Sequence, residues 1–228
     1  MYPKLAILDM VGTTIDDNGI VLETLVDVMK LELNINITLT DAINVMGIPK
    51  NIAFETLCSI YGIEISHDLI NQLISLFNQK IITAFQMENN VKLLPFVGEL
   101  FASMRKHGTK IYLNTGFERS IADVIVNSLG LMTIVDGYVC ANDVTKGRPN
   151  ADMILLAMKK ENIQYGHHVM KIGDTTSDLY EGFSAGCAWN IAVLTGAQNY
   201  EQLRTAPFTQ ILANLQPVVN FFNSGRSF

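Results

Sequence analysis

The 228-residue chain is 49% hydrophobic and 17% charged, the balance of a folded globular protein with a sizeable core: one domain carrying an insertion, or two small domains. Its net charge of −6, from 16 basic against 22 acidic residues without a basic run, argues against nucleic-acid binding but allows a local cationic site for a small anion. No apolar run nears the ~18 residues that span a bilayer, the first strand leaves no room for a signal peptide, and the scattered Cys58, Cys140 and Cys187 read as reduced thiols, so a cytoplasmic protein with no membrane partner is expected.

The first predicted element is a buried strand, Leu5–Leu8, running into Asp9 and followed by a Gly12-Thr13-Thr14 turn. Asp9 is thereby placed at the carboxyl end of a strand, where open α/β sheets hold ligands. After Asp17 the pattern turns helical. Leu22, Leu25, Val26, Met29 and Leu33 recur at three- and four-residue steps, as do Leu69, Leu73, Leu76, Phe77 and Ile81. Between these runs, Met46-Gly47-Ile48-Pro49-Lys50 reads as a turn before a helix from Asn51 to Tyr61. Further on, Ile111–Asn114, Gly137–Cys140, Val169–Gly173 and Asn190–Leu194 are short apolar runs separated by helical stretches. That alternation predicts an α/β fold with a doubly wound, Rossmann-like parallel sheet. The expected division is a core domain of residues 1–15 and 91–228 and an all-helical cap domain of residues 16–90. Hinges are expected near 16–19 and 88–92.

Polar residues gather at four predicted strand or helix ends: Asp9; Asn114-Thr115-Gly116; Lys146-Gly147-Arg148-Pro149; and Gly173-Asp174-Thr175-Thr176-Ser177-Asp178. Each has work to do on a phosphoryl group. A carboxylate such as Asp9 attacks phosphorus and splits one hard displacement into two. Cations must first neutralise the anion, and Mg²⁺ is suited to Asp9 and Asp174, with Asp178 one turn on as a ligand either directly or through water. Thr115 and the Gly116 amide offer uncharged donors, and Arg148 a fixed positive charge. Singly each motif is common: Thr115 also reads as a helix cap, and Asp178 as a solvated helix residue. His107, His167 and His168 lack ligand spacing and read as surface residues, while Asp16, Asp17 and Asp143 read as turn or cap residues.

In their order, the four motifs resemble those of the haloacid dehalogenase (HAD) superfamily from Lys4 to about Gly196. The resemblance implies that Asp9 is the nucleophile and Thr115 a phosphoryl ligand, with Arg148 in the position where many members have lysine. It also implies that the Gly12–Thr13 turn and Gly116 contact substrate, and that Asp9, the Val11 carbonyl, Asp174 and Asp178 hold Mg²⁺. The usual second aspartate of Asp-x-Asp-Gly-Thr, the general acid and base of the phosphatases, is replaced here by Val11. Dehalogenases also lack it but have no need of the Asp174 and Asp178 metal motif. Phosphonoacetaldehyde hydrolases (phosphonatases), with alanine in that place, are the branch that the chain resembles more. Their Met-Gly-x-x-Lys segment matches Met46 to Lys50, and that lysine forms a Schiff base with the substrate aldehyde. Two positions depart from the branch, since Ala53 stands for a histidine and Phe117 for a tyrosine; His67 is the only histidine in the insertion.

The resemblance therefore implies an Mg²⁺-dependent hydrolase of a small phosphonate or phosphate metabolite, with Lys50 as catalytic amine or as a charged substrate clamp. Two other readings stay open: a phosphomonoesterase of the phosphoglycolate phosphatase kind, and a catalytically weak phosphate-binding protein. A monomer and a homodimer are equally compatible with the sequence.

Overall fold

A computed structural model describes residues 2–87 and 89–225, so the expected hinge at 88–92 lies partly outside the described residues. Along the chain the elements are β1 (Leu5–Asp9), β2 (Ile15–Asp16), α1 (Ile20–Leu33), α2 (Leu39–Asn44), α3 (Lys50–Ile60), α4 (His67–Phe85) and β3 (Lys92–Leu93). Then follow α5 (Val97–Lys106), β4 (Lys110–Thr115), α6 (Arg119–Ser128), β5 (Gly137–Cys140) and α7 (Asp152–Lys160). The last are β6 (Val169–Gly173), α8 (Thr176–Ser184), β7 (Trp189–Val193), α9 (Tyr200–Leu203), β8 (Gln210–Leu212) and α10 (Gln216–Ser224).

The apolar runs pair into a six-stranded parallel sheet in the order β5-β4-β1-β6-β7-β8. Every residue of β1 and β6 is buried, as helices on both faces of a parallel sheet require. β1 lies at the centre, and the chain crosses from β5 on one side of it to β6 on the other. A crevice opens at such a reversal, at the carboxyl ends of the strands. The register sets Asp9 level with Asn114 and Leu8 level with Ile172, which brings the ends of β1, β4 and β6 to one edge.

All four helices α1 to α4 fall between β2 and β3, which pair antiparallel as Ile15↔Leu93 and Asp16↔Lys92. Within this insertion α1 packs on α2 and α4, and α3 on α4; α4 also meets α6 of the sheet layer. Beside the ribbon, Asn18 Nδ2 donates to the carbonyls of Asn89 (3.4 Å) and Asn90 (3.3 Å). Asn18, Gly19 and Asn89 take left-handed backbone angles there, so both crossings turn sharply. The ribbon, α2 and β8 are absent from the sequence reading. At two or three residues per strand and six in α2, these elements are too short to display a period.

Candidate active site

Asp9 ends β1 at 6% exposure, and the turn after it is tied down locally: Thr14 Oγ1 donates to the Asp9 carbonyl at 2.8 Å. Gly12 in that turn has φ +89°, and a Cβ added there would lie 2.5 Å from Asp174 Oδ2, so glycine is needed for both angle and space. Asp174 follows β6 and is held by Thr13 Oγ1 (2.9 Å) and the Ala197 amide (2.8 Å). Asp178 lies in the first turn of α8 as part of a capping box with Thr175, whose hydroxyl donates to Asp178 Oδ2 at 2.5 Å.

Arg148 reaches this edge from the loop before α7, and protein acceptors engage each guanidinium nitrogen. Nη1 faces Asp9 Oδ1 at 2.6 Å and Asp178 Oδ1 at 3.0 Å. Nη2 donates to the Asn114 carbonyl (3.1 Å) and Asn114 Oδ1 (2.7 Å), and Nε to Glu181 Oε2 (3.1 Å). Lys171, fully buried in β6, lies 2.7 Å from Asn114 Oδ1 and 2.9 Å from both Asp178 Oδ1 and Glu181 Oε2. Lys171 and Glu181 are absent from the sequence reading. A lone lysine in the otherwise apolar run of β6 was the available signal, because a buried lysine requires a partner.

Arg148 and Lys171 thus contact three carboxylates, those of Asp9, Asp178 and Glu181, with Asp174 beside them; within this group of six the formal deficit is two positive charges, of which Lys50, attracted to Asp9, can offset one. Titration reflects that deficit. Burial pushes the Asp9 carboxyl up to about 6 against the pull of Arg148, and Asp178 adds to the rise. Burial, with Asp9 and Asp178 nearby, holds Asp174 well above the usual carboxylate range. Asp178 is held below that range, since Arg148 and Lys171 outweigh its burial. Carboxylate oxygens of Asp9, Asp174 and Asp178 lie within 4.8 Å of one another. Hard oxygen donors and a charge deficit of this size fit a divalent cation of the Mg²⁺ type.

The insertion covers this cluster with the turn Met46–Pro49. A Cβ on Gly47 would lie 2.5 Å from Thr175 Oγ1, and the Gly47 and Ile48 carbonyls come within 3.7 Å of one on Gly116, so the turn rests directly on the strand ends. Beneath it is a cavity of about 40 Å³, room for a few water molecules. Asp9, Val11, Lys50, Thr115, Gly116, Phe117, Arg148 and Asp174 line it together, whereas Gly12, Thr13 and Asp178 do not; Gly12 lines a neighbouring cavity with Val11 and Asp174. Thr115 Oγ1 accepts from the Phe117 amide at 3.1 Å, leaving its own proton to donate. A wider cleft of about 500 Å³ adjoins past Lys50, Gly116, Phe117 and Arg148.

Lys50 opens α3, and its ammonium lies over the rings of Phe77 (5.2 Å) and Phe117 (5.7 Å). Burial lowers its pKa to about 8, opposed in part by Asp9. Ala53 is buried below it. His67 is exposed at the start of α4, roughly 15 Å along the helix from Phe77. His107 stacks on Tyr2 at 4.0 Å, and His167 and His168 group with Tyr165; none lines the cavity. Asp16 pairs with Lys92, Asp17 accepts from the Gly19 and Val21 amides, and Asp143 pairs with Arg119.

The haloacid dehalogenase-like hydrolase family matches residues 6–192, most of the chain. The chain belongs to this family. Among curated relatives, the bifunctional phosphonoacetaldehyde hydrolase/aminoethylphosphonate transaminase of Clostridioides difficile is 26% identical over 85% of this chain and 32% of its own length. A phosphonoacetaldehyde hydrolase of Bacillus cereus is 30% identical over 55% of this chain and 49% of its own. The chain therefore matches at most about half the length of these two relatives. A solved structure of a phosphonoacetaldehyde hydrolase-like protein from Oleispira antarctica superposes with a TM-score of 0.81 at 22% identity, covering 98% of this chain and 95% of that one, and so shares the fold. Among the described residues, no helix is long and apolar enough to cross a membrane.

Proposed function

We propose that the protein is a phosphonatase-like hydrolase that cleaves the carbon–phosphorus bond of a small phosphonate bearing an aldehyde, with Asp9 as nucleophile and Lys50 as catalytic amine. One observation carries this reading: an amine with its pKa lowered to about 8 lines the same small cavity as Asp9, where Val11 removes the acid that ester hydrolysis would use. The two curated relatives whose names include phosphonoacetaldehyde hydrolase support it. The 16–90 insertion acts as the cap and residues 1–15 and 91–228 as the core.

Neutral Lys50 adds to the aldehyde carbon and, with one proton taken up from solvent, water leaves, giving an iminium. Asp9 then attacks phosphorus, and the electron pair of the breaking C–P bond moves into the iminium to form an enamine. Water hydrolyses the aspartyl-phosphate, the enamine takes up a proton, and hydrolysis of the imine restores Lys50. Thr115 Oγ1 and the Gly116 amide donate to the phosphoryl oxygens, while Arg148 orients Asp9 by its contact at 2.6 Å. Asp9, Asp174 and the Val11 carbonyl would hold Mg²⁺, which when bound neutralises the phosphoryl oxygens; Asp178 stands behind them. Desolvation favours the neutral form of Lys50, against the attraction of the Phe77 and Phe117 ring faces for its ammonium.

Borohydride reduction in the presence of phosphonoacetaldehyde is expected to fix an adduct on Lys50, located by peptide mass spectrometry and absent in Lys50→Arg. Phosphate release should require Mg²⁺ and disappear in Asp9→Asn. Turnover of phosphonoacetaldehyde by a Lys50→Ala variant with only KM raised would reduce Lys50 to a clamp. Hydrolysis of phosphate esters alone would overturn the C–P reading.

A further inference from the structure

Lys171 and Glu181 are both fully buried, 2.9 Å apart, and line none of the cavities around Asp9. Burying a lysine and a glutamate carries a large desolvation cost, and a pair of apolar residues would fill the same volume without it. Their bonding shows what the pair holds. Glu181 Oε2 takes Arg148 Nε, and both its oxygens take Asn114 Nδ2 at 2.9 Å. Lys171 Nζ holds Asn114 Oδ1 from below at 2.7 Å, the same atom that receives Arg148 Nη2. Glu181 lies three residues beyond Asp178 on α8, so one helix face presents both carboxylates to the guanidinium.

We infer that Lys171, Glu181 and Asn114 form a positioning cradle that fixes the Arg148 guanidinium against Asp9 and Asp178, making Arg148 an internal strut on the nucleophile instead of a clamp on the substrate. The donors agree with this assignment. Nε and Nη2 donate three hydrogen bonds to Glu181 and Asn114, and Nη1 lies at ion-pair distance from Asp9 and Asp178, so every guanidinium nitrogen has a protein partner. Lys171 Nζ likewise donates to Asn114 Oδ1 and lies at ion-pair distance from Asp178 and Glu181. The substrate anion is then left to Thr115, backbone amides, Lys50 and the cation.

The test uses Glu181→Gln, which keeps shape and removes charge, Lys171→Met, and the double variant, which leaves neither buried charge orphaned. Arginine labelled with ¹⁵N is followed in the whole protein without metal or substrate, and Arg148→Lys assigns the signal. The cradle predicts resolved, slowly rotating Nη protons for Arg148 in the parent and their collapse to a freely rotating average in folded Glu181→Gln and in the double variant. Retention of the locked signal in both would overturn the proposal, because the pair would then only fill the core. In the kinetic arm, kcat is expected to fall ~10- to 100-fold with KM within about threefold. A rise in KM with kcat unchanged would overturn the strut and make Arg148 a substrate clamp. This arm rests on Asp9 as the nucleophile. A parent without turnover would refute that role, while the resonance arm would still decide the cradle.

Discussion

Burial places the Asp9 carboxyl at about 6, with Asp178 adding to the rise against the pull of Arg148, and a pH dependence of stability follows from its sign. A carboxyl whose folded pKa lies above its unfolded value binds its proton more tightly in the native state. That contribution is present below pH ~4 and is lost as pH rises through about 6, a difference on the order of 3 kcal/mol for Asp9. Asp174 shifts in the same direction. Metal-free protein is therefore expected to lose melting temperature between pH 4 and 6.5, and saturating Mg²⁺ to restore it at pH 7 but not at pH 4. Calorimetry with and without chelator checks this, and a flat metal-free profile would refute it. Val11 offers a second residue-scale test. A carboxylate at that position borders the cavity, so Val11→Asp is expected to raise phosphate-ester hydrolysis at least ~10-fold while lowering any C–P cleavage. Steady-state rates on both substrate types measure the exchange.

Among the elements, the turn before α3 does most to complete the site. Gly47 has φ +77° and meets Thr175 closely. Gly47→Ala introduces strain of about 1 kcal/mol or more and pushes the turn off the strand ends. The expected result is a kcat/KM reduced at least ~10-fold, with circular dichroism unchanged and melting lowered by only a few degrees. An unaltered kcat/KM would show that Lys50 reaches Asp9 without this contact. The same segment shows what sequence conveys and what it leaves hidden. β1, β4 and β6 are legible because short apolar runs, interrupted in β6 by Lys171, end in polar clusters, and α1 and α4 because apolar residues recur at helical steps. Asp9, Arg148, Asp174 and Asp178 are legible as residues in motifs. Their mutual contacts are not, since Glu181 joins Arg148 from 33 positions away and Asn114 from 67. Phe77 is another such case, reading as a core position while its ring also carries the Lys50 ammonium.

For the whole molecule, a cavity of about 40 Å³ under a docked turn leads us to predict that the insertion lifts to admit substrate to Asp9. Such a movement is expected to be absorbed where the chain crosses at Asn18, Gly19 and Asn89. Small-angle scattering is expected to show a larger radius of gyration for the free protein than for protein with Mg²⁺ and a phosphonate analogue. Identical curves would mean that access runs instead through the 500 Å³ cleft beside Lys50. The crossing point has a consequence for how such a molecule can be assembled. Because Asp16 pairs directly with Lys92, residues 17–91 are in topological terms the loop of a single hairpin, entering and leaving at adjacent points. Loop-closure entropy grows only slowly with length, so replacing a two-residue turn by a four-helix body costs the ribbon about 3 kcal/mol, which packing within that body can offset. The sheet can thus gain, lose or exchange this insertion, and Lys50 with it, without rethreading a strand.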